Sequence, residues 1–84
     1  MTHDSQEFDN VAEMLNALES KWSSTIVPRE RFSEFTGGLL HPRTLANYDS
    51  RGEGPAGKMK CGNKVVYSLD SAIDWLRNRI ESLE

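Results

Sequence analysis

The sequence predicts a mostly α fold with one small β-hairpin, and three observations carry that expectation. Apolar residues recur every three or four positions at Phe8, Val11, Leu15, Leu18 and Trp22, and again at Leu69, Ile73, Leu76, Ile80 and Leu83. That spacing lays each set along one face of an amphipathic helix. In the middle, Pro42 opens a short polar run, His41-Pro42-Arg43-Thr44-Leu45-Ala46-Asn47, suited to a helix with most of its side chains outward. Soon after, Gly62-Asn63 separates two short runs, the two-residue signal of a hairpin.

Taken in order, the first helix spans about Asp9 to Trp22 and ends at Ser23-Ser24. Thr25-Ile26-Val27 is β-branched, and a residue preceding proline is pushed out of the helical region, so this stretch is expected to be extended. Pro28 suits a first helical position, where its missing N–H costs nothing. Glu30 agrees with the helix dipole, and Phe32 and Phe35 share a face, so a short helix is expected from Pro28 to Thr36. Gly37-Gly38 stops it and turns the chain. His41, a weaker cap than Ser or Asp, then precedes a helix from Pro42 to Ser50 or Arg51. Gly52-Glu53-Gly54-Pro55-Ala56-Gly57 suits only a loop. Lys58 to Cys61 and Lys64 to Tyr67 form the hairpin strands, with Met59 and Cys61 expected to face inward by alternation. Ser68 or Asp70 caps the last helix, with Trp75 beside its apolar stripe. The order is that of a winged helix-turn-helix with an extra helix at each end. Residues 1–24 form the N-terminal extension and residues 25–84 the domain proper.

Eighty-four residues make one small domain. No apolar run approaches the roughly 20 residues that span a bilayer, and the N-terminus lacks the basic and then apolar pattern of a signal peptide. A lone cysteine, Cys61, has no internal disulfide partner, so a cytoplasmic protein is expected. The net charge of −3 argues against nucleic acid until its distribution is considered. Residues 1–24 sum to −4, residues 25–67 to +3 and residues 68–84 to −2. Binding responds to the field at the contact face, because charges are screened beyond roughly 8–10 Å at physiological salt.

Arg43, Thr44, Asn47 and Arg51 fall on one side of the Pro42 helix, while Leu45 and Tyr48 are expected to turn inward. Such a face is ordinarily just solvated. Here the Phe-containing helix, the Gly-Gly turn and the hairpin around it favour a recognition helix. Arg pairs with guanine, Asn with adenine, and Thr with phosphate or a thymine methyl. Lys58, Lys60 and Lys64, with Asn63 at the turn and His41 at the helix start, complete the expected DNA-binding set. The lysines also suit an edge strand guarded against pairing, and Arg29 and Arg31 are read as solvated charges. His41 and Cys61 lack a third orienting group for nucleophilic catalysis. One Cys and two distant His do not make a zinc site. No catalytic, cofactor or metal role is expected. The N-terminal stripe suits the domain's own core, yet a 3-4-3-4 seam also pairs helices. A homodimer through Phe8, Val11, Leu15, Leu18 and Trp22 is therefore the alternative.

The run from Val27 to Trp75 resembles the winged-helix domains related to the MerR regulators, in particular the excisionase and prophage-regulator (AlpA-type) branch. The resemblance lies in His41-Pro42-Arg43-Thr44-Leu45, Gly52-Glu53-Gly54-Pro55, Lys60-Cys61-Gly62-Asn63-Lys64-Val65-Val66-Tyr67 and Ala72-Ile73-Asp74-Trp75-Leu76, in that order. It covers more than half the chain and leaves Met1 to Trp22 outside the minimal fold. It implies a double-stranded DNA binder without an active site, acting as an excisionase-like accessory factor or transcriptional regulator of a mobile element. An integrase or other DNA-processing protein is the implied partner. The fold is also similar to the DNA-binding domain of phage small terminase subunits, which keeps open an assembly or adaptor role on the same scaffold.

Overall fold

A computed structural model describes residues 10–80. Among these residues are four α-helices and one three-stranded antiparallel sheet. Helix α1 (Val11–Lys21) starts at Asn10, whose side chain accepts from the Glu13 N–H at 2.9 Å. Leu15 is buried, and Val11, Leu18 and Trp22 pack partly onto the core, so this stripe is used within its own domain against helix α4 (Leu69–Arg77). Phe8 and Leu83, the outer members of the two expected stripes, lie outside the described residues.

Strand β1 (Ile26–Pro28) follows, held by the Trp22 Nε1–H donating to the Ile26 carbonyl at 2.8 Å. It pairs with strand β3 (Lys64–Ser68), which also pairs with strand β2 (Met59–Cys61), giving the order β1-β3-β2. The registers are Val27 opposite Tyr67 and Lys60 opposite Val65. The expected two-stranded hairpin thus gains a third strand. Pro28 does not open a helix as expected. Its ψ of 144° is extended and it lies opposite Val66, which a proline tolerates because β1 is an edge strand. Pairing with β3 has overridden the local preference. The expected helix over 28–36 shrinks to a 3₁₀ turn (Arg29–Arg31) and one turn of α2 (Phe32–Phe35).

Gly37 and Gly38 take positive φ and reverse the chain. Thr36, buried here, donates its hydroxyl to the Phe32 carbonyl and accepts the Leu40 N–H at 3.1 Å, which fixes the turn. Helix α3 (Pro42–Ser50) comes next, then the glycine loop and the hairpin. Ser68 caps α4 by accepting the Ser71 N–H.

Phe32 centres the core, its ring edge-on to Phe35, Tyr67 and Trp75. Trp22 extends this chain of rings at one end and Tyr48 at the other. Trp75, expected beside the stripe, is buried against Phe32 and Tyr48, and its indole N–H donates to the Glu53 carbonyl, which ties the glycine loop to α4. Met59 is 50% exposed and Cys61 is exposed, contrary to the inward packing expected of them. β2 is an edge strand, and its register sets Met59 and Cys61 opposite Val66 and Lys64, on the face of the sheet away from buried Val27 and Tyr67. No helix among the described residues is long and apolar enough to cross a membrane.

Candidate nucleic-acid interface

Helix α3 is built as its sequence requires. His41 is extended and its Nδ1 accepts the Arg43 N–H at 3.0 Å, so this weak capping residue does serve as the cap, and Pro42 occupies the first turn. Leu45 and Asp49, one turn apart, face the core. Arg43, Thr44, Asn47 and Arg51 are exposed on the other side, and Tyr48 is half-buried against Trp75.

The hairpin turns at Gly62-Asn63. Gly62 has φ +62°, and among the described residues only glycines have positive φ. Glycine at the first central position is the type II′ pattern, whose twist suits a hairpin. Lys58, Lys60, Asn63 and Lys64 are all exposed. A cleft of about 220 Å³ lies between this turn and the start of α3, lined by Arg29, Glu30, Pro42, Asn63, Lys64 and Val65. At the other end of α3, Lys58 shares a second hollow with Asp49 and the glycine loop. The hairpin therefore flanks α3, its turn beside the helix start and its base beside the helix end.

The expected cations differ in what they already hold. Lys64 Nζ reaches both carboxylate oxygens of Glu30 at 2.7 and 2.8 Å. Arg51 pairs with Glu53 at 3.3 Å and lies over the Tyr48 ring, which Arg79 also covers. Among the described residues Arg43, Lys58 and Lys60 have no carboxylate partner. Among the described residues no hydrogen bond joins Arg43 or Asn47 to the hairpin lysines, and by the strand register Lys60, opposite Val65, and Lys64, opposite Cys61, fall on opposite faces of the hairpin. Arg31, read as solvated, pairs with exposed Glu34 and lies over Trp22.

Behind this face lies a polar group that the sequence reading missed. Arg29, read as a solvated charge, is only 26% exposed and donates through Nη2 to Asp49 Oδ2 at 2.7 Å and through Nε to the Tyr67 hydroxyl at 3.1 Å. The Tyr67 hydroxyl donates to the same Asp49 oxygen. Asp49 sits four residues after Leu45, on the inward face of α3, and that spacing was the available signal. The network ties α3 to the 3₁₀ turn and to β3, and so sets the helix against the hairpin.

The Tyr67 hydroxyl is pushed up from near 10 to about 12, first by burial and then by the Asp49 carboxylate that accepts its proton. The folded state holds this proton more tightly than the unfolded chain does. Its stabilisation is complete below pH 10 and is lost as pH rises towards 12. The urea midpoint is accordingly expected to fall across that window, and Tyr67→Phe should remove that part of the fall. An equal slope in both proteins would show that Tyr67 does not govern it.

Among the described residues no group of three or more His, Cys, Asp and Glu side chains is placed to hold a metal ion. No family model matches the chain, and comparisons with curated proteins and with solved structures likewise gave no match.

Proposed function

We propose that this protein is a sequence-specific DNA-binding domain of the winged helix-turn-helix kind, with α3 as the recognition helix and the β2–β3 hairpin as the wing. The observation that carries this reading is the hairpin flanking α3, its turn meeting Pro42 across a cleft, with Arg43, Lys58 and Lys60 each exposed and without a carboxylate partner among the described residues. The order helix, strand, helix, helix, hairpin, helix and the central placement of β3 agree with it. In this reading Arg43, Thr44 and Asn47 reach base edges. His41, Arg51, Lys58, Lys60, Asn63 and Lys64 border the backbone. In this reading the domain acts by occupying or bending DNA, as an excisionase-like accessory factor or regulator of a mobile element does.

The test is fluorescence anisotropy on a duplex selected from a random pool and on an unselected one. Affinity should fall linearly in log salt, and Lys58→Ala with Lys60→Ala should flatten the slope by about two units, at about 0.9 per phosphate. Arg43→Ala or Asn47→Ala should each cost about 1–3 kcal/mol on the selected duplex and far less on the other. Absence of salt-dependent binding by the folded wild type would leave the assembly or adaptor role on this scaffold as the reading to pursue.

A further inference from the structure

We infer that the cleft between the start of α3 and the hairpin turn is a phosphodiester subsite whose lysine is held by an internal competitor, Glu30. This rests on the DNA-binding reading and names how that site is restrained. Lys64 and Glu30 are thirty-four positions apart, and the fold brings them together in the lining of the cleft. Both carboxylate oxygens accept from the same Nζ, at 2.7 and 2.8 Å. A phosphodiester also presents one negative charge shared over two unbridged oxygens, so it satisfies the same ammonium in the same way. Arg29 and Asn63 line the cleft beside it and Pro42 places the first turn of α3 at its edge.

The Glu30–Lys64 pair is exposed on both sides, 61% for the lysine and 55% for the glutamate. Exposed pairs are weak, so an incoming phosphate exchanges with the carboxylate readily. Glu30 then remains at the cleft as a repelling charge. Lys58 and Lys60 have no such partner among the described residues. Glu30 therefore lowers the contribution of one wing lysine, favouring duplexes that other contacts hold well over those held by charge alone.

The experiment compares wild type, Glu30→Gln, Lys64→Ala, the double variant and Glu34→Gln on a fluorescein-labelled mixed-sequence duplex, across a range of KCl concentrations. Glu34, paired with Arg31 outside this cleft, controls for net charge. Glu30→Gln should bind about two- to fivefold tighter, from the weak exposed pair it releases, with a salt slope steeper by about 0.9. Both gains should vanish when Lys64→Ala is added, and Glu34→Gln should show neither. Salt-dependent binding by wild type that Glu30→Gln leaves unchanged, or a gain that persists without Lys64, overturns the inference while the DNA-binding reading stands. No binding by wild type and Glu30→Gln alike overturns the functional reading itself.

Discussion

Asp49→Ala is expected to destabilise the fold by about 3 kcal/mol, at the lower end of the cost of removing one partner of a buried ion pair. The lower end applies because Arg29 is 26% exposed and regains some hydration when its partner is gone. The Tyr67 hydroxyl has no such relief, since Tyr67 is fully buried and loses the acceptor of its proton. Against a total stability of about 5–15 kcal/mol for a domain of ordinary stability, the loss is large enough to show at once in a urea titration. Asp49→Asn keeps the shape and one acceptor but gives up the charge, and should fall between the two. A loss within about 0.5 kcal/mol for Asp49→Ala, the range of an ordinary surface change, would mean that the network contributes nothing net to folding.

Gly54→Ala is the second substitution with a large expected effect, and its sign is informative. The backbone at Gly54 does not take a positive φ, so in open space alanine would be tolerated and would stabilise by about 0.4–1 kcal/mol through the unfolded state. Here the new Cβ would overlap Asp49 Oδ1, stand 2.9 Å from its Cγ and touch its Cα at 3.4 Å. The carboxylate has nowhere to turn without leaving Arg29 and Tyr67. Overpacking of this kind costs about 1–3 kcal/mol. In an Asp49→Ala background the clash disappears, so the two changes should be strongly non-additive in a double-mutant cycle. Additive losses would show that Gly54 and Asp49 are not in contact in solution.

These two residues also mark where local pattern stopped being informative. The amphipathic spacing of Leu15 and Leu18 and of Ile73 and Leu76 located α1 and α4, because a 3.6-residue period is a property of the chain itself. Pro42 after His41 located the start of α3, and Gly62-Asn63 located the hairpin turn, because each depends on the backbone limits of one or two residues. The exposed face of α3 followed from the same periodicity, so Arg43, Thr44 and Asn47 were placed on it correctly.

Partners across the fold were not legible. Arg29 and Asp49 are twenty positions apart and look like any two surface charges in a polar chain. Met59 and Cys61 alternate as a half-buried strand should, yet pairing with β3 turns them to the face away from buried Tyr67. Pro28 has the local marks of a helix start but was taken into the sheet by β3. Periodicity and turn chemistry, which act within a few residues, thus determined the helices, the hairpin and the outward set on α3. Which charges are buried, which lysine is held by a carboxylate and which strand edge is left open depended on elements meeting from distant parts of the chain. Desolvation and pairing energies exist only once that meeting has occurred.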